Sequence, residues 1–238
     1  MKTFFIRRLR AQTQLSEEDL AAIEALPMQV KDIERRTPFV REGDRPSQCC
    51  LILEGFAVRS KTTDEGKRQI LAIHIPGEMP DLHSLHLKVM DHDLSTLSKC
   101  QVGFINHDAI HRLTRERPDV ASALWRETLV DAAVFREWIV NVGRRDATAR
   151  LAHVVAELRE RLKVIGLLQD HHFGLPMTQM DLADTLGLTP IHVNRVLQQL
   201  RKDGVLDIKK ETVSFASAER LDHIADFDEL YLHQHPMQ

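Results

Sequence analysis

The chain has 238 residues, 43% of them hydrophobic and 28% charged, and a formal net charge of -3. This is the balance of a globular protein, and no apolar run approaches the roughly 20 residues that a bilayer span needs. Three cysteines, Cys49, Cys50 and Cys100, are too few for a disulfide framework and for the usual four-ligand iron–sulfur set.

The first residues, Met1-Lys2-Thr3-Phe4-Phe5-Ile6-Arg7-Arg8, lack the apolar core of a secretory signal, so a cytoplasmic location is expected. A short helix is predicted from Ser16 to Leu26, opened by the capping spacing Ser16-x-x-Asp19. Short apolar runs then alternate with turn residues. Leu51-Ile52-Leu53 leads to Gly55, Ile70 to Ile75 leads to Pro76-Gly77, and Cys100, Val102 and Phe104 alternate with polar positions or glycine. Strands of this length and spacing predict an antiparallel barrel or roll up to about Asp108. Cys49 and Cys50 are neighbours on a strand and point to opposite faces. They are expected to be small core residues; redox sensing would require an exposed thiolate.

From about Pro118 to Val142 the pattern turns helical. Val120, Leu124, Thr128, Ala132, Phe135, Ile139 and Val142 recur at steps of three and four, and Trp125, Leu129, Ala133 and Trp138 lie off that stripe. A helix apolar on two sides must bury both. One side covers the strand region, and the simplest partner for the other is a second copy of the chain. Leu124, Thr128, Ala132, Phe135, Ile139 and Val142 are the candidate dimer contacts. Gly143-Arg144-Arg145-Asp146 interrupts the pattern and makes Gly143 a candidate hinge. Asp146 then caps a helix to about Leu162, with Leu151, Val154, Val155, Leu158 and Leu162 on one face.

The sharpest motif runs from Met177 to Leu197. Thr178 caps one helix with Asp181 at the reciprocal position, Gly187 supplies a tight turn, and Thr189 caps a second helix with Pro190 at its first position. Val193, Val196, Leu197 and Leu200 form the buried stripe of that second helix. Its other face carries His192, Asn194, Arg195, Gln198, Gln199, Arg201 and Lys202. Arg pairs with guanine and Asn or Gln with adenine, so this face suits a major groove. Arg201, Lys202, Lys209 and Lys210 suit phosphates. With the caps Thr178 and Thr189, these residues are the candidate DNA contacts. Val205 to Ile208 and Thr212 to Phe215, on either side of Lys209-Lys210-Glu211, predict a two-stranded wing.

Over nearly its whole length the sequence resembles the Crp/Fnr regulators. The carriers are Leu182-Ala183, Gly187-Leu188-Thr189, Asn194-Arg195 and Gly204-Val205-Leu206 in the helix-turn-helix, and Gly43-Asp44, Leu51 to Gly55 and Pro76-Gly77-Glu78 in the first half. The resemblance implies an α+β chain. An N-terminal antiparallel β-roll of the double-stranded β-helix (jelly-roll) type spans 1–117 as a cyclic-nucleotide-binding-like sensor. A dimerisation helix and hinge follow at 118–143, and a winged helix-turn-helix DNA-binding domain at 144–238.

It also implies a homodimer on a palindromic operator, with double-stranded DNA as partner, RNA polymerase as a further partner if the protein activates, and no membrane. The implied effector site comprises Gly77, Glu78, His83, Leu94, Ser95, Thr96, Phe135 and Arg136. Leu94 stands where the cyclic-AMP-binding members carry Arg, which argues against cyclic AMP. The N-terminus lacks the cysteine cluster of the oxygen-sensing members. His83 stands where the haem-binding members carry a ligand, but Asp81 replaces their cysteine, which argues against haem. Among His74, His83, His86 and His92 no tight metal spacing is visible, and no metal, cofactor or catalytic residue is assigned. Ile191 replaces a frequent Glu, so the family's usual half-site does not carry over. The expectation is a transcription regulator with a small-molecule or redox input other than cyclic AMP, and not an enzyme. The alternatives are a ligand-independent regulator controlled by its abundance, a haem-based or metal-based sensor, or an enzyme.

Overall fold

The structure is a computed structural model and describes residues 2–234. It resolves two compact units, one of residues 2–61, 72–132 and 233–234, the other of Thr62–Leu71 and Ala133–Leu232.

The first unit opens with α1 (Thr3–Gln12), which buries Phe5, Arg8, Leu9 and Gln12. That is an i, i+3, i+4, i+7 face, but two of its four residues are polar, so it makes no apolar stripe in the sequence. The predicted capping box opens α2 (Glu17–Glu24): the Ser16 hydroxyl accepts from the Asp19 N–H, and Asp19 reaches back to the Ser16 N–H. Then follow β1 (Gln29–Ile33), β2 (Pro38–Val40), β3 (Gln48–Glu54), β4 (Ala57–Thr62), β5 (Arg68–His74), a 3₁₀ turn (Leu82–Leu85), β6 (Asp93–Thr96) and β7 (Cys100–Asn106).

One sheet has the order β1-β7-β3 and the other β2-β6-β4-β5. The pairings of β1 and β3 with β7, and of β2 and β4 with β6, are antiparallel, as a roll requires. Alternation divides the core: Cys49, Leu51 and Leu53 face one cluster with α1 and Ile110, while Cys50 and Ile52 face another with Leu94 and Val102. Next come α3 (His107–Glu116) and the long α4 (Pro118–Arg144), whose Val120, Ala123 and Leu124 complete the first cluster.

In the second unit α5 (Ala147–Ile165) buries almost its whole circumference, including all five predicted positions. It is followed by β8 (His172–Gly174), α6 (Gln179–Leu186), α7 (Pro190–Lys202), β9 (Leu206–Lys209), β10 (Thr212–Phe215), α8 (Ala218–Ala225) and a 3₁₀ turn (Glu229–Leu232).

Two expectations are corrected. Gly143 does not break the long helix: α4 continues to Arg144, and the break falls at Arg145-Asp146. Asp146 Oδ1 accepts from the N–H groups of Thr148 and Ala149, so the new helix starts where its cap is satisfied. The wing has three strands, in the order β8-β10-β9, because His172–Gly174 pairs with Thr212–Ser214. That strand is short and polar, and only Phe173 in it is buried, so it carried no periodic signal.

Candidate functional site

The helix-turn-helix follows from three caps. The Thr178 hydroxyl accepts from the Asp181 N–H at 3.1 Å and donates to the Asp181 carboxylate at 2.6 Å. Gly187 ends α6 at φ +63, the left-handed conformation that an L side chain resists. Thr189 caps α7 by accepting from the His192 N–H at 3.3 Å, with Pro190 in the first turn. Val193, Val196, Leu197 and Leu200 are buried, as their spacing predicts.

The opposite edge of α7 lies in solvent. His192, Arg195, Gln198, Gln199, Arg201 and Lys202 are exposed, Asn194 is half-buried, and Ile191 is 75% exposed. The Gln198 amide donates to Asn194 Oδ1 at 2.9 Å, and the Gln199 amide donates to Asp203 at 2.8 Å. Arg201 and Lys209 are both paired with Asp207, at 2.6 and 2.7 Å. Asp207 is slightly desolvated, but hydrogen bonds from Lys209 and Arg201 outweigh this and hold its carboxyl below the usual range. These two cations therefore reach a phosphate only by sharing or leaving Asp207. Arg195 has no such partner among the described residues, so its guanidinium is presented outward.

The tip of the β4–β5 hairpin belongs to this same unit. Arg68 donates to Asp184 at 2.7 Å and to Asp181 at 2.6 Å, and Gln69 donates to the Thr185 carbonyl at 3.2 Å. No local pattern signals this brace, because it joins residues far apart in the chain. Deeper in the unit, Glu157 is fully buried and accepts from Trp138 at 2.8 Å, Tyr231 at 2.9 Å and Arg161 at 2.7 Å.

In the first unit the candidate effector residues fall into three settings. Glu78 is taken up by its own chain: Arg8 donates to Oε1 at 2.9 Å, and His74 Nδ1 lies 3.1 Å from Oε2. Arg8 also donates to Glu127 at 2.7 Å. Gly77 lies under α1, where an added Cβ would come within 2.7 Å of the Phe4 backbone. The cleft there, lined by Lys2, Phe4, Phe5, Leu51, Ile52, Leu53 and Gly77, has about 130 Å³ of space between its atoms, open solvent included.

Leu94 and Thr96 are not free to line a pocket. Leu94 is fully buried in the core of the roll, and the Thr96 hydroxyl donates to the Glu34 carbonyl at 2.6 Å and accepts from the Thr37 N–H at 3.0 Å. Ser95, between them, is half-buried. Phe135 and Arg136 belong to the second unit, partly buried and exposed respectively.

His83 is grouped with residues that were not assigned to the site. Its ring centroid lies 5.2 Å from that of His92, and His92 Nδ1 lies 2.7 Å from Asp91 Oδ1. Arg59, 2% exposed, pairs with Asp131 at 2.9 Å and donates to the Pro80 carbonyl. Asp81, 1% exposed, accepts from the Cys50 N–H at 2.8 Å, and burial pushes its carboxyl up to about 6. Arg59, Asp131, Arg8 and Glu127 escaped the sequence reading because an isolated charge in a strand or helix looks like a solvated one. Burial, followed by the Asp81 charge, pushes the Cys49 and Cys50 thiols up, and burial raises Cys100 as well. None of the three cysteines is the exposed thiolate that redox sensing requires.

The dimer candidates also divide. Leu124 is 7% exposed and packs in its own core, so it is no free contact. Thr128, Ala132, Phe135 and Val142 are partly buried, and Ile139 is 72% exposed. The apolar side chains left in solvent elsewhere on α4 are Trp125 at 63%, Leu129 at 53% and Val140 at 44%, the first two being residues that lay off the predicted stripe.

An antiparallel roll, a long helix and a winged helix-turn-helix with a polar outer edge define the class of two-domain DNA-binding regulators. Residues 30–117 match the cyclic nucleotide-binding domain and residues 149–224 the Crp-like helix-turn-helix domain. The transcriptional activator protein FnrL of Cereibacter sphaeroides is 23% identical over 207 residues, covering 86% of this chain and 82% of that protein. The fumarate and nitrate reduction regulatory protein of Yersinia pestis is 23% identical over 214 residues, covering 89% and 84%. FixK2 from Bradyrhizobium japonicum shares the fold with a TM-score of 0.75 at 22% identity, covering 84% of this chain and 98% of that one. The c-di-GMP-responsive regulator CLP of Xanthomonas campestris gives a TM-score of 0.67 at 17% identity, covering 85% and 100%. The chain belongs to the Crp/Fnr family of transcription regulators and binds DNA through its helix-turn-helix; it is not an enzyme. Among the described residues no helix is long and apolar enough to cross a membrane.

Proposed function

We propose that the protein acts as a homodimer on a palindromic operator, with Arg195 as its principal base-reading residue and with an input other than cyclic AMP. The observation that carries this reading is the solvent-exposed edge of α7, from Ile191 to Lys202, set on a buried stripe that fixes its orientation. Arg195 fits a guanine edge, Asn194 and Gln198 fit adenine, and Ile191 fits a thymine methyl. Lys202 and Lys210 contact phosphate, joined by Arg201 and Lys209 when these share or leave Asp207. The exposed apolar residues of α4 supply the dimer contact, and two-fold symmetry then sets the half-sites about one DNA turn, roughly 34 Å, apart.

Cyclic AMP is the wrong input on physical grounds. Glu78 already accepts from Arg8, and Leu94 brings no charge to a phosphate. A second reading, regulation by abundance with no small-molecule input, is favoured by Glu78 being taken up by Arg8 and His74 and by Leu94 lying in the core where a phosphate-binding charge would be needed.

Selection of bound duplexes by the full-length protein, repeated over a salt series, tests the proposal. Palindromic sites and a steep loss of affinity with salt are expected. Arg195→Ala should cost about 1–3 kcal/mol and relax the preference at one base pair of each half-site. Unchanged selectivity in that variant would remove Arg195 from its role, and affinity raised by cyclic AMP would overturn the assignment of the input.

A further inference from the structure

We infer that His83 and His92, with Asp91 holding the His92 ring, form a binding site for a divalent first-row transition-metal ion in the sensor unit. One donor atom from each lies within 4.8 Å of the other two. The Nε2 atoms of both His83 and His92 are buried and have no hydrogen-bond partner among the described residues. His92 itself is only 4% exposed.

A buried polar nitrogen without a partner forfeits stabilisation and requires an explanation. For His92 the tautomer follows from its neighbour. The Asp91 carboxylate can only accept, so Nδ1 carries the proton at the 2.7 Å contact, and Nε2 presents its lone pair. A carboxylate that orients an imidazole whose other nitrogen is open is the usual outer support of a metal-binding histidine. One cation satisfies both orphaned nitrogens at once.

The donor set selects the class of ion. Two imidazoles, with water completing the shell, suit Zn²⁺, Co²⁺, Ni²⁺ or Fe²⁺ and do not suit Mg²⁺ or Ca²⁺, which take oxygen ligands. Bonds of about 2.0–2.2 Å hold donors about 3–4 Å apart, so the two imidazoles close on one ion with a small rotation of half-buried His83. Arg59 is the nearby charge that opposes a cation; Asp131 offsets it at 2.9 Å, and the Asp91 carboxylate behind the His92 ring adds negative charge to the site. Positions not filled by protein are open to water.

The test uses the full-length protein, stripped with a chelator and titrated with Co²⁺, whose visible bands report nitrogen coordination, and with Zn²⁺ in competition against an indicator. One ion per chain is expected, with affinity lowered at least about tenfold by His92→Ala, His83→Ala and Asp91→Ala, and unchanged by His86→Ala. Asp91 is exposed, so its variant remains informative even if loss of His92 disturbs the fold. Absence of stoichiometric binding, or equal affinity in wild type and the Asp91 and His83 variants, would overturn the site. The measurement involves no DNA, so its failure leaves the regulator reading untouched.

Discussion

At the scale of single residues, burial decides which polar groups are available. Arg195 and Arg201 stand on the same helix edge, yet Arg201 is held by Asp207 and Arg195 by no described residue. His153 presents the buried case. It is fully buried, with Nε2 3.1 Å from the Tyr231 hydroxyl, and burial, followed by the Arg145 charge, pushes its pKa down to about 4. The unfolded chain binds this proton near pH 6.5 and the folded chain does not, so stability rises with pH across that window and is lost as pH falls from about 6.5 towards 4. At pH 5 the loss is on the order of 2 kcal/mol. Denaturant unfolding at pH 7 and pH 5 should show this drop in the wild type and a smaller one in His153→Gln. Identical drops in both proteins would refute the assignment.

At the scale of elements, caps and braces fix the DNA-reading helix. The carboxyl of Asp181 is partly desolvated, but Thr178 and then Arg68 outweigh this and hold it below the ordinary carboxylate range. Arg68 therefore ties the hairpin tip to the first helix of the DNA-binding motif. Arg68 is about one-third exposed, so screening reduces its worth. Arg68→Ala should lower unfolding stability by about 1 kcal/mol. It should also raise the titration midpoint of Asp181, followed by carboxyl carbon NMR. A midpoint unmoved in the variant would mean that Thr178 alone sets the carboxylate. The wing gives a second lesson at this scale. Lys210 and Glu211 both sit at positive φ, 48 and 63, so the turn is held by the β9–β10 pairing and not by its own residue types.

At the scale of the whole molecule, the proposed homodimer needs an apolar face that no single copy covers. Trp125, Leu129, Ile139 and Val140 on α4 are large and exposed. Leu129→Glu should shift sedimentation from dimer to monomer and reduce affinity for a palindrome far more than for one half-site. A variant that still sediments as a dimer would move the interface elsewhere. The net charge of -3 shows why the total is a poor guide: Arg195, Lys202 and Lys210 are gathered on one short segment while acids dominate elsewhere.

The sequence by itself determined whatever rests on local periodicity and capping. Ser16-x-x-Asp19, Thr178-x-x-Asp181, Gly187 and Thr189-Pro190 each act through neighbours a few residues away, so α2, α6 and α7 were readable with their buried and outward faces. Only the tertiary structure decided what long-range packing controls. It removed Leu124 from the dimer face by burying it in its own core, carried α4 through Gly143, and added β8 to the wing. It also closed Arg8 on Glu78 and brought His83 up to His92. Charge pairs and orphaned nitrogens arise where distant segments meet, and the energy of such meetings is set by desolvation, which no local pattern encodes.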